Sequence, residues 1–273
     1  MPKALLKQWK VPGPKYEGIH CYERESGQTT FYSSGGPRGY SFAVGKDLYI
    51  PDVDGERILS VEQWLGGQED VMGRVLGKMR ERSPQPYRDE EERITFYMAL
   101  LSLQHRTKQR LEILERHINE HPDIRVKIED ELGESDQFVL LENMINVITE
   151  EAIALSRHQI VVTCNPKGKL LICDEPFLGD GLEDEAFISC SPYFFLSITN
   201  QGLNKDIVYA DCDDNLVHAM NKLIAANGQY WIAGMEKSIV EKYIEEFEQP
   251  KTEGKIVFDW LRYIPNGYRI KKN

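Results

Sequence analysis

Asp89-Glu90-Glu91-Glu92-Arg93-Ile94-Thr95-Phe96-Tyr97-Met98-Ala99-Leu100-Leu101-Ser102-Leu103-Gln104-His105-Arg106-Thr107 is the stretch that decides the fold. Its apolar residues recur at helical spacing, and the pattern continues to Asn119. Leu100, Leu103, Thr107, Leu111, Leu114 and Ile118 form one seam, while Ile94, Met98, Leu101 and His105 form a second. A helix with two apolar seams packs on two sides and is therefore central. The four acids Asp89 to Glu92 complement the positive end of the helix dipole, and His121-Pro122 ends the run.

Upstream, Val61, Trp64, Leu65, Met72, Val75, Leu76 and Met79 predict a helix over about 60–80, with Ser60 as its N-cap. Gly66-Gly67 interrupts that run at a cost of about 1 kcal/mol per glycine against alanine. Downstream, Leu141, Met144, Ile145, Ile148, Ala152 and Leu155 predict a third helix over about 136–157. Outside this body the texture is that of strands and turns. Ile19–Glu23 and Thr29–Tyr32 predict a small N-terminal hairpin packed on the helices. Gln159–Cys164 and Lys169–Cys173, separated by Asn165-Pro166-Lys167-Gly168, predict a second hairpin. Further strands are expected at Tyr193–Ile198, Ile207–Ala210, Tyr230–Ala233 and Ile256–Leu261. Helices are expected from Asp213 or Asp214 to Ala226, closed by Asn227-Gly228, and from Lys237 to Phe247. The class is α+β, a central helical body with a mostly antiparallel C-terminal sheet. The chain reads as one domain over 1–273, comprising strands and turns (1–59), the helical body (60–157) and a mixed α/β part (158–273).

Composition bounds the function. The 273 residues carry 33 Lys and Arg against 44 Asp and Glu, a net charge of −11. Such a field opposes general coating of nucleic acid and leaves only a local site for it. An acidic surface also suits a basic protein partner. No run approaches the roughly 18 apolar residues of a membrane span. The five cysteines are scattered without a Cys-x-x-Cys, which predicts free thiols in a cytoplasmic protein.

Pro2-Lys3-Ala4-Leu5-Leu6-Lys7-Gln8-Trp9, His20-Cys21-Tyr22-Glu23-Arg24, Lys46-Asp47-Leu48-Tyr49, Gln104-His105-Arg106-Thr107 and Cys173-Asp174-Glu175-Pro176 follow one another in a telling order. With Val61-Glu62 through Leu65 to Glu69, Ser191-Pro192 and Asn221, they make the chain resemble the bacterial domain of unknown function 4238. That family opens with a His-His pair, which would lie just ahead of Pro2. Its Gln-x-x-Arg-Thr motif is one residue shorter here, and Cys173 stands where a Ser is usual. The resemblance covers nearly the whole chain and implies acids at Glu62 and Glu69, but it carries no established reaction.

Candidate chemistry lies in three places. His105 extends an apolar seam beside Arg106, which suits proton transfer next to anion binding; the plain alternative is a satisfied core histidine with an ion-paired arginine. Asp174 ends the apolar run Leu170–Cys173, a place where metal-dependent hydrolases put ligands, although it equally suits capping of a turn. Glu62 and Glu69 share a helix face about 10 Å apart, too far for one ion. Six acids and no Lys or Arg between Asp174 and Glu185 mean that a phosphate substrate there requires a divalent ion or an arginine. The expectation is a metal-dependent hydrolase of the phosphodiesterase or nuclease type. It has His105, Arg106 and Asp174 as catalytic residues and Glu62, Glu69 and Asp174 as ligands of Mg²⁺ or Mn²⁺. The other class is a non-catalytic module that binds a ligand or a protein and lacks the family's histidine pair.

Overall fold

The computed structural model describes residues 3–13, 15–35, 39–43, 52–53, 56–57, 59–105, 107, 112, 116, 120, 136–178, 186–199 and 207–249. After the short α1 (Lys3–Leu6) come β1 (Gly18–Glu23), β2 (Gln28–Ser33), β3 (Asp52–Val53) and β4 (Glu56–Arg57). The helical body consists of α2 (Ser60–Arg80), α3 (Glu90–His105) and α4 (Asp136–Leu155). Then follow β5 (Gln159–Cys164), β6 (Ile172–Cys173), β7 (Phe177–Leu178), β8 (Ala186–Ser191), β9 (Phe194–Thr199) and β10 (Ile207–Asp211). The described chain closes with α5 (Asp214–Asn227), β11 (Trp231–Gly234), α6 (Lys237–Lys242) and α7 (Ile244–Glu248). The fold is α+β, and its sheets are mostly antiparallel.

α3 is central, as its double seam requires. Every residue from Ala99 to His105 is buried, and the helix lies between α2 and α4. Asp89 accepts the backbone N–H of Glu92 at 2.8 Å, and the buried Glu92 carboxylate is ion-paired by Arg88 and Arg74. At the same end, Arg93 Nη2 and the Tyr97 hydroxyl both donate to the His158 carbonyl, at 3.1 and 3.0 Å, which ties α3 to the end of α4. The expected continuation over 106–119 lies outside the described residues, apart from Thr107, Glu112 and Arg116. α2 runs unbroken through Gly66-Gly67 and starts at Ser60 itself. Leu59 sits at its cap position with no side-chain hydrogen bond, so Ser60 is a helical residue and not the cap.

The sheets depart from the expected hairpins. β5 and β6 do not pair with each other. β5 lies in a five-stranded sheet, order β10-β5-β9-β8-β7, and β6 lies in a four-stranded sheet, order β2-β1-β11-β6. The intervening turn forms as expected: the Lys167 N–H reaches Asn165 Oδ1 at 3.2 Å, and Gly168 takes the φ of +65° that favours glycine. Residues beyond the turn, however, find other partners. Asn221 of α5 donates to the Lys169 carbonyl (2.8 Å) and accepts from the Leu171 N–H (2.9 Å). Ser189 of β8 donates to the Leu171 carbonyl (2.6 Å). These side chains take the backbone groups that a hairpin would have paired, and the chain crosses to the other sheet. The N-terminal hairpin β1–β2 forms in register from Gly18↔Ser33 to Glu23↔Gln28, but it continues into β11 and is part of a larger sheet.

Asp213 caps α5, accepting from the Leu216 N–H at 2.8 Å. The helix expected over 237–247 is two short ones that meet at Tyr243 (φ −113°, ψ 13°), whose hydroxyl lies 2.8 Å from His218 Nδ1. The strand expected at Ile256–Leu261 lies outside the described residues. One apolar cluster joins α1, the helical body and the inner faces of both sheets; a second joins Leu171, Cys173, Met220, Ile224, Val240 and Phe247 under α5, α6 and α7. All five cysteines are free thiols. Among the described residues no helix is long and apolar enough to cross a membrane.

Candidate functional site at the end of the helical body

His105 closes α3 and is only 6% exposed. Its Nε2 lies 3.2 Å from Oε2 of Glu151, which is 9% exposed on α4. A buried carboxylate on one imidazole nitrogen fixes the tautomer and the ring orientation, which is what a general base requires. Glu151 was legible in principle, because it follows Met144 and Ile148 on the apolar seam of α4, where an acid is as anomalous as a histidine. Arg106 lies outside the described residues.

Asp174 follows β6 and turns its carboxylate onto the start of β11. Oδ1 accepts the Gln229 N–H at 2.9 Å, Oδ2 accepts the Tyr230 N–H at 3.1 Å, and Oδ1 also takes the Trp231 N–H at 3.3 Å. Burial pushes the Asp174 carboxyl up to about 6, against the downward pull of these backbone donors. The rest of the Cys173-Asp174-Glu175-Pro176 motif is lashed down as well. The Glu175 carbonyl accepts from Cys173 Sγ (3.1 Å) and from Asn227 Nδ2 (2.6 Å), and the same amide reaches the Phe177 carbonyl at 3.3 Å.

Tyr230 links the Asp174 corner to Glu112. The residue whose N–H is held by Asp174 donates its hydroxyl to Glu112 Oε2 at 2.6 Å, and burial together with that carboxylate raises its phenol. Glu112 stands seven residues after His105 in the sequence. His105 therefore contacts α4, and Glu112 contacts the Asp174 corner. The wall beside this corner is aromatic: Trp231 meets Phe42 edge-on at 4.9 Å, and Phe42 meets Tyr32 at 4.8 Å.

Both acids expected on α2 lie within that helix. Glu62 is exposed in the first turn of α2, and Glu69 is half-buried two turns on. Among the described residues no three His, Cys, Asp or Glu side chains gather into a metal-holding group. Cys164 and Cys173 are buried strand residues, and burial pushes the Cys164 thiol up, away from the thiolate form.

The molecule is thus an α+β protein in which a buried histidine–glutamate pair closes a central helix and the Asp174 carboxylate holds a strand corner. Residues 1–238 match the family model described as a protein of unknown function, DUF4238, and the chain belongs to that family. No curated protein and no solved structure matches it.

Proposed function

We propose that this protein is a hydrolase of the phosphodiesterase type, with His105 as its general base. Glu151 orients the imidazole, as a carboxylate orients the base of a hydrolytic triad. Arg106 is the anion-holding residue, since its planar fork binds a phosphate bidentately and stays charged at all working pH. The observation that carries the reading is the Tyr230–Glu112 hydrogen bond at the Asp174 corner, since Glu112 stands seven residues after His105 in the sequence. Mg²⁺ or Mn²⁺ is the cofactor the reading implies, and its candidate ligands are Asp174 with Glu62 or Glu69, since the two glutamates are too far apart to share one ion. Ligation by Asp174 requires that it release part of the Gln229–Trp231 turn. A second reading, a non-catalytic binding module, is favoured by one observation: the Asp174 carboxylate accepts from a run of backbone N–H groups, a structural arrangement.

The test is a panel of nucleic-acid and small phosphodiester substrates with Mg²⁺ or Mn²⁺, on wild type and on His105→Gln, Glu151→Gln and Arg106→Ala, each checked by circular dichroism. Loss of a positioned acid–base group costs roughly 10²–10⁴ in rate, so a folded His105→Gln should lose at least about 100-fold in kcat. Undiminished turnover in His105→Gln and Arg106→Ala removes both residues from the mechanism. A folded wild type that hydrolyses none of the diesters leaves the binding module as the reading that stands.

A further inference from the structure

α5 buries one face and exposes another. Val217, Met220, Asn221, Ile224 and Ala225 are buried, whereas Leu216, Ala219, Leu223 and Ala226 are exposed, Leu216 at 41% and Leu223 at 53%. Their spacing of three, four and three residues lines them up as one apolar stripe about 15 Å long on the outer side of the helix. Single exposed leucines are ordinary on a protein surface. Two leucines and two alanines in register are the pattern of a helix face made for contact.

A segment of the chain itself is a candidate occupant. α6 and α7 pack over α5 through Val240, Tyr243 and Phe247, and Lys222 pairs with Glu246 at 3.4 Å. Their end is pinned in place: Arg24 Nη2 donates to the Phe247 carbonyl at 2.5 Å, and Arg24 pairs with Glu248 at 3.3 Å. Residues 250–273 continue from that point. Six residues, 250–255, reach up to about 20 Å when extended. They lead into Ile256-Val257-Phe258-Asp259-Trp260-Leu261-Arg262-Tyr263-Ile264, apolar at seven of nine positions. Such a run is strongly driven to leave water, at about 25 cal/mol per Å² of apolar surface buried. Charge points the same way. Residues 250–273 hold six Lys and Arg against two Asp and Glu, a surplus of four positive charges in a chain of net −11, so residues 1–249 stand at −15.

We propose that residues 256–264 dock on the Leu216–Ala226 stripe of α5. The contact is intramolecular, apolar at its centre and assisted by a basic segment meeting an acidic body.

The test uses the full chain with p-benzoylphenylalanine in place of Leu223, irradiated as a mixture of ordinary and ¹⁵N-labelled copies and read by mass spectrometry after trypsin. A short tether gives an effective concentration of about 1 mM, so at about 10 µM protein intrachain cross-links to 256–264 should exceed those between copies at least about tenfold. In the same chain carrying Phe258→Ser and Trp260→Ser, the intrachain cross-link should fall about tenfold with circular dichroism unchanged, because the tether remains and only the apolar contact is removed. Cross-links that mainly join ordinary to labelled copies, or none to 256–264, overturn the proposal. So does an intrachain cross-link that survives the double substitution, since tethering alone would then account for it.

Discussion

His105 and Asp174 are both polar residues at the ends of apolar runs, yet the molecule treats them differently. His105 meets another side chain, Glu151 on a neighbouring helix, at 3.2 Å. Asp174 meets three backbone N–H groups at the turn into β11. The first arrangement holds a titratable ring at a helix end, oriented by a carboxylate from a separate element. The second holds a strand corner together, and the carboxylate is part of the backbone hydrogen bonding. A carboxylate at a strand end is therefore not by itself a sign of chemistry. What it accepts from decides whether it builds the fold or works on a substrate.

This contrast sets the order of perturbations. The helical body depends on packing, so Leu100→Ala, at a fully buried position of α3, should cost about 2–5 kcal/mol in denaturant unfolding. A loss below a few tenths of a kcal/mol would make the helix peripheral and remove the contrast.

The Asp174 corner should instead respond to pH. Its folded-state value of about 6 lies above the ordinary 3.8, so the folded protein binds this proton more tightly than the unfolded chain does. The stabilising contribution is complete below about pH 4 and is lost as pH rises through about 6. A carboxyl raised this far is linked to at most about 3 kcal/mol, and about 1–3 kcal/mol is expected because the residue retains some solvent contact. Asp174→Asn keeps an acceptor for the turn and has nothing to ionise. Unfolding midpoints measured between pH 4 and pH 7.5 should therefore shift in favour of Asp174→Asn as the pH rises. A difference independent of pH would mean that the carboxylate is already ionised at the lower end.

The body has its own defect to compare with the well-paired corner. Gln68 lies on the apolar face of α2 at 4% exposure, and among the described residues neither its amide oxygen nor its nitrogen has a hydrogen-bond partner. Gln68→Leu should raise stability by about 1–3 kcal/mol, because it removes an unsatisfied buried amide. A destabilised variant would show that the amide is satisfied in solution.

The helical body was readable because each signal was local. Two seams at helical spacing placed α3 in the centre, and acids at its start fixed its direction. Several strands are legible individually for the same reason, but β7 and β8 are not, and neither are the strands' partners. Nothing in Lys169–Cys173 announces that Asn221, fifty residues on, and Ser189 will capture its backbone and divert it from β5 to β11. Pairing between sheets is set by such long-range competition, which alternation along one strand does not encode. In the candidate site, His105 stood out as a polar residue in an apolar seam, and Glu151 carries the same signature on α4. Glu112 and Tyr230 do not: neither interrupts an apolar pattern, and only the fold brings them together.

The Tyr230–Glu112 contact is the hinge of the functional reading, because it ties a residue seven positions after His105 to the Asp174 corner. The most direct measurement is a double-mutant cycle in stability with Tyr230→Phe and Glu112→Ala. A hydrogen bond to a charged acceptor at a partly exposed position predicts a coupling of about 1 kcal/mol, with the double variant costing about as much as the larger single one. Costs that simply add would show that the two regions are independent, and a single site spanning His105 and Asp174 would be contradicted.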